Sequence, residues 1–216
     1  MKTLLCLLTV PVITALPSAR AASIVELHEF NGLNLGVPDG NPSGTVNVQG
    51  VTSNINVIED ISVSLNISGT WSGDLYAYLQ HDSGLAVVLN RVGRTVGESF
   101  GYDNDGMTIT LNDLGTFSDI HSQDSGGGVL SGTFGSDGRT TDPGSVLDTD
   151  PRGALLTTFI GGDANGDWVL FVADLSGGDS HTLNSWSMEI TGVNVPEPGT
   201  LSLFVFGAAL LMRRKR

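Results

Sequence analysis

One row of residues limits what this chain can become. Ile55, Val57, Ile61, Val63, Leu65 and Ile67 all stand at odd positions, with Ser62, Ser64 and Asn66 between the later ones and only Glu59 breaking the inward set. An apolar residue at every second place puts one face of an extended strand against a core, and no helical period fits it. A second apolar region, Trp168 to Ala173, carries apolar side chains on both faces, as a strand covered on both sides does. After a turn of Gly, Asp and Ser come Leu183, Trp186, Met188 and Ile190, strictly alternating from Trp186 onward. These two runs read as the closing β-hairpin of a sandwich. Their two indoles and Phe171 supply the largest burial, since an aromatic ring hides roughly 150–250 Å².

Shorter runs fill the interval. Ile24 to Phe30 is a candidate first strand, and residues 31–44 form a loop rich in Gly, Pro and Asn. Leu75, Ala77 and Leu79 face one way; Leu85, Val87 and Leu89 continue after the turn His81-Asp82-Ser83-Gly84, and Met107 to Leu111 makes a further strand. Residues 113–153 are polar, rich in Gly and Asp and poor in apolar anchors, so a long loop with a role of its own, or a mobile one, is expected there. With 29 glycines and lysine only at positions 2 and 215, the chain favours tight turns over helices. The expectation is an all-β fold.

The ends are of a different kind. Met1 to Ala22 has Lys2, an apolar run from Leu4 to Leu16 and small residues near a plausible cut, the pattern of a secretory signal peptide. Its apolar run is short of the roughly 20 residues a membrane span needs. The sole cysteine, Cys6, lies in this leader and is too near the N-terminus for a lipoprotein cut, so the exported chain has no disulfide and no thiolate chemistry. At the other end Val195-Pro196-Glu197-Pro198-Gly199 breaks the fold, Thr200 to Met212 is apolar and Arg213-Arg214-Lys215-Arg216 is basic. The order Pro196, Glu197, Pro198, hydrophobic helix, basic cluster resembles the PEP-CTERM sorting signal, which implies an exosortase-type processing enzyme as a partner. It also implies transient membrane anchoring with the basic end inside.

Charge excludes some partners. Residues 23–195 hold four basic residues, Arg91, Arg94, Arg139 and Arg152, against 22 acidic ones, a formal −18. Nucleic acid and anionic membrane surfaces are repelled, whereas divalent cations and cationic partners are favoured.

A second resemblance rests on Asn165-Gly166-Asp167-Trp168, Val169 to Asp174, Asp179, and Thr182 to Ile190, together with Thr70-Trp71-Ser72-Gly73-Asp74-Leu75 and the lead-in Pro151 to Phe159 with Gly161. This set is similar to the P domain (P/Homo B) that accompanies subtilisin-like serine endopeptidases of the proprotein-convertase type. It covers about 43–193, closely at both ends and loosely around Phe100 to Asp105, and His81-Asp82 stands where the family has Ser-Pro. The resemblance implies a jelly-roll-like β-sandwich of about eight strands without a catalytic domain. The expected organisation is a signal peptide at 1–22, an N-terminal strand and linker at 23–42, the sandwich at 43–193 and the sorting signal with its membrane segment at 194–216.

The residues themselves show little catalytic chemistry. His28, His81, His121 and His181 lack metal-ligand spacing, His81 and His181 fall in expected turns where histidine is solvated, and no Gly-x-Ser-x-Gly elbow occurs. Carboxylates are the better lead. Asp103-Asn104-Asp105-Gly106 imitates the start of a calcium loop, although Leu114 occupies the place of the bidentate Glu. Asp103, Asp105, Asp174 and Asp179 form the candidate Ca2+ set, against a plain reading in which Asp, Asn and Gly only build turns. The function expected is an exported, non-catalytic binding or structural module of the bacterial envelope or extracellular matrix, with extracellular polysaccharide as one partner. The alternative is an accessory domain for a secreted subtilisin-like protease.

Overall fold

A computed structural model describes residues 21–196. Residues 1–20 of the expected signal peptide at 1–22, Glu197 and Pro198 of the sorting motif and the C-terminal hydrophobic segment lie outside the described residues. Ten strands make two stacked sheets: β1 (Ser23–Phe30), β2 (Leu35–Val37), β3 (Asn41–Val51), β4 (Val57–Ser68), β5 (Leu75–His81), β6 (Gly84–Asn90), β7 (Met107–Asn112), β8 (Leu130–Phe134), β9 (Gly166–Asp174) and β10 (His181–Val193). The first sheet runs β1-β10-β4-β7-β8, with β2 also on β10, and the second runs β3-β9-β5-β6. Every pairing is antiparallel except β7 with β8. The fold is an all-β sandwich.

The core lies between the sheets. Ile61, Val63, Leu65 and Ile67 of β4 and Trp186, Met188 and Ile190 of β10 meet Trp168, Leu170 and Val172 of β9 and Leu75, Ala77 and Leu79 of β5, all of them buried. Phe159 packs edge-on against Trp168 at 5.0 Å, and Phe30 tilts against Trp186 at 4.5 Å between ring centres. Both buried indoles keep a hydrogen bond, Trp168 Nε1 to the Ala164 carbonyl at 3.0 Å and Trp186 Nε1 to Asn47 Oδ1 at 2.8 Å.

Three bulges correct the simple odd-and-even reading. Trp186 and Leu183 both face inward because Asn184 is an extra residue between the pairs Leu183↔Ile67 and Ser185↔Asn66. Thr191↔Asp60 is followed by Gly192↔Ile58, so Glu59 is the extra residue on β4, and Ile58 rather than Val57 is buried beyond it. In β6, Ala77↔Leu89 gives way to Tyr78↔Val87, so Ala86 turns inward and Leu85 is left exposed.

The closing hairpin is also corrected. β9 and β10 do not pair: β9 lies between β3 and β5 in one sheet, and β10 between β1 and β4 in the other. Residues 175–180 arch from layer to layer, so Trp168 and Trp186 reach the same core from opposite sheets. The N-terminal stretch is knitted in as well, since β1 pairs with β10 over its whole length, from Ser23↔Val193 to Phe30↔Trp186.

Residues 113–153 are an ordered flap along one side of the sandwich. β8 extends the first sheet beyond β7, and the chain then covers the free edge of β6, where Asp137 N–H donates to Val88 O at 3.2 Å and Gly138 N–H to Val87 O at 2.8 Å. Covering that edge removes a template for unwanted strand pairing.

Candidate functional site

The two ends of the sandwich carry different chemistry. At one end the chain leaves the fold: Val193 pairs with Ser23, and Asn56 grips the next turn, its Oδ1 accepting from Val195 N–H and its Nδ2 donating to Val195 O, both at 2.8 Å. Pro196 follows as the last described residue. The sorting residues therefore begin without a linker. β10 spans 13 residues, so the opposite end lies about 40 Å away.

At that far end two crossings meet. Gly69, Thr70 and Trp71 lead from β4 into a single 3-10 turn, Ser72–Asp74, while residues 175–180 lead from β9 to β10. Leu175 N–H donates to Asp74 O at 2.9 Å, and Thr70 Oγ1 donates to Asp179 Oδ1. Trp71 sits at φ 64°, a left-handed conformation that costs a non-glycine residue on the order of 1–3 kcal/mol. Gly73 lies against the Phe100 carbonyl and Gly101, where a Cβ would stand 2.3 Å from that oxygen. Only glycine fits there.

The half-buried indole of Trp71 lines two adjoining clefts. One, of about 250 Å³, is shared with Asp74, Phe100 and Asp179, and the other, of about 350 Å³, with Glu98, Tyr102, Asp103 and Asp124. Asp74 is only 3% exposed. Burial raises its pKa to about 6, the neighbouring Arg91 working in the opposite direction and Asp174 and Asp179 adding to the rise. The Arg91 guanidinium donates to Gly73 O and stands 3.5 Å from Asp74 Oδ1, whereas Asp74 Oδ2 accepts no hydrogen bond from the described residues.

The four carboxylates singled out in the sequence are placed apart in role. Asp174 is buried, its Oδ2 2.8 Å from His181 Nδ1 and its Oδ1 accepting from Ser176 N–H at 3.1 Å. Asp179 is half-buried and Asp103 and Asp105 are exposed, while Asn104 between them points inward to Ser72 Oγ at 2.8 Å. Among the described residues no three His, Cys, Asp or Glu side chains gather closely enough to share an ion.

The histidines require a further correction. His81 and His181 are buried, not solvated. His81 stacks on Trp168 at 4.2 Å and contacts Ser83 Oγ and the Asn165 carbonyl, because it ends β5 inside the sheet and is no longer part of the turn. His181 opens β10 and is held by Asp174. His121, in the flap, contacts Asp137 Oδ2 at 2.8 Å through Nδ1 and the Arg94 carbonyl at 2.9 Å through Nε2. Burial alone would depress its pKa; the hydrogen bond and charge of Asp137 more than offset that, and the pKa is raised. Among the described residues no histidine links a serine to a carboxylate, the arrangement a hydrolytic triad needs.

The four arginines among the described residues are all engaged with the fold. Arg139 holds Asp119 at 2.8 Å and Asp137 at 3.2 Å, Arg152 and Arg91 stand beside Asp113 and Asp74, and Arg94 donates to the carbonyls of Pro143 and Gly144. None lines the two Trp71 clefts. The sequence reading missed Trp71 and Asp74 as site residues. The available signal was a tryptophan standing in a Gly-, Thr- and Ser-rich turn instead of an alternating row.

Residues 194–216 match the PEP-CTERM protein-sorting motif. The C-terminus is a sorting tail. Among the described residues no helix is long and apolar enough to cross a membrane. No curated protein matches the chain. Among solved structures it overlaps the Aeromonas sobria serine protease, in complex with the chaperone, at 15% identity and a TM-score of 0.45, over 84% of this chain and 28% of that one. The serine protease of Aeromonas sobria solved by itself overlaps at 15% identity and 0.41, over 82% and 28%. The chain thus spans less than a third of the length of these structures, and overlaps this loose bear no functional weight.

Proposed function

We propose that this protein is an exported, non-catalytic binding or structural module, delivered by its tail to the cell envelope or extracellular matrix. One observation carries the reading: a sorting motif at 194–216 begins directly after the last strand of a complete sandwich. The tail acts as an address and a temporary membrane anchor, and an exosortase-type enzyme removes it. Support for a non-catalytic role comes from the histidines, whose partners are core aromatics, carbonyls and single aspartates.

Mass spectrometry of the protein recovered from the cell surface tests the route. The expected product lacks the residues beyond the Pro196 region, and a surface protein retaining Arg213 to Arg216 sinks it. Labelling by a broad serine-hydrolase probe would overturn the non-catalytic part. The similarity of residues 165–190 and 70–75 to the P domain supports a second reading, in which the module accompanies a separate subtilisin-like endopeptidase. Co-purification of such an enzyme from the native host is its expected sign.

A further inference from the structure

Trp71 differs from the other two indoles. Trp168 and Trp186 are core residues, whereas Trp71 is half-buried, held in a left-handed backbone and flanked by a cleft on either side. Beside it Asp74 is a carboxylate almost sealed from solvent that lines the cleft with one oxygen lacking any donor. Arg91 opposes this charge from 3.5 Å at Oδ1, and Oδ2 of this cleft-lining residue is left for a second donor. Asp179 on the same cleft, and Glu98, Asp103 and Asp124 on the adjoining one, form no ion pair with any described residue.

We propose that the Trp71 cleft takes a lysine or arginine side chain presented by another extracellular polypeptide. The indole face receives the cation, Asp74 and Asp179 accept its N–H groups, and Phe100 covers the methylene stem. A cation over an indole is worth about 0.5–2 kcal/mol, the more so where water is excluded. A neutral sugar could stack on the same ring, but it leaves the carboxylates unopposed. The fixed −18 of residues 23–195 draws a basic partner towards this end from a distance. This proposal rests on the binding-module reading for its setting. Failure of that reading would appear in tail processing or probe labelling, and failure of this one in a peptide titration.

The test uses the full chain in non-ionic detergent, titrated at pH 7.5 with tetralysine amide, tetra-arginine amide, tetraglycine amide and cellotetraose, followed by calorimetry and tryptophan emission. Both basic peptides are expected to bind, with affinity falling as salt rises through the range where the screening length drops below about 10 Å. Trp71→Ala and Asp74→Asn each weaken binding by about tenfold, while Trp71→Phe retains most of it, and a cooperative melt of each variant shows that it folds. Asp167→Asn removes an exposed charge at the opposite end of the sandwich and leaves the affinity unchanged. Absence of basic-peptide binding overturns the proposal. So does equal weakening by Asp167→Asn, which would mean bulk charge alone, or preferential binding of cellotetraose.

Discussion

Two buried regions of this molecule are held by opposite means. Between the sheets, Trp168, Leu170 and Val172 face Trp186, Met188 and Ile190, and order comes from apolar area withdrawn from water. Along the side, the 113–153 flap buries His121, Asp137 and Arg139, and order comes from charges that must satisfy one another. The first arrangement tolerates small errors, since any apolar residue of similar size fills the space. The second does not, because removing one member strands the others. A sandwich edge is thus closed with few apolar residues, but with strict demands on partners.

Breaking each region in turn sharpens this contrast. Trp168→Ala removes one of the two largest buried side chains and its stacking on His81, and should lower global stability by about 3–5 kcal/mol, read by chemical denaturation. Asp137→Ala takes from buried His121 its only carboxylate and from Arg139 one of two, Asp119 remaining, at a cost of up to about 3 kcal/mol. Hydrogen exchange should then rise first at Asp137, Gly138 and Ala154, whose amides hold the flap, and not at β4. Equal loss of protection in both places would show that flap and core are a single cooperative unit.

Acidity separates them further. Folded His121 has a raised pKa, so its contribution is complete below its unfolded value near pH 6.5 and disappears as pH rises through the higher folded value. Flap protection should therefore fall as pH rises above the unfolded value near 6.5 while core protection stays constant, and a flat profile would argue against a charged His121. Asp74 has the same sign at lower pH. Its pKa of about 6 means that the fold binds its proton more tightly than the unfolded chain, so stability declines as pH rises from about 4 to 6. Asp74→Asn keeps an oxygen for Arg91 and should raise the melting temperature at pH 8 by a few degrees, with no gain at pH 4. Millimolar calcium should move the melting temperature least of all, since no three of the described carboxylates gather; a rise of several degrees would support calcium at Asp103, Asp105, Asp174 and Asp179.

The same contrast explains what could be read from the sequence. Alternation announces burial, so the rows of β4, β5, β9 and β10 were legible as strands of one sandwich. Alternation carries no information on which sheet a strand joins, and a hairpin and an arch share one pattern; hence β9 and β10 were wrongly paired. Bulges at Asn184 and Glu59 shift the parity through pairing with a distant strand, which no local window contains. The flap has no period at all. His121 meets an aspartate 16 positions away and Arg139 one 20 positions away, and these residues look solvated until the loop is closed around them. The Trp71 cleft was hidden for the same reason, being lined by residues 71–74, 98–103, 124 and 176–179, which are far apart in the chain.

β10 is the last strand to leave the ribosome, yet it occupies the interior of its sheet, flanked by β1 and β4. Until its residues arrive, β1 has no partner along its length and the indole of Trp186 is missing from the core. β1 cannot complete its pairing until Val193 has been synthesised, immediately ahead of the sorting residues. The second sheet has all its strands in hand before then, so the first sheet alone waits for its inner strand.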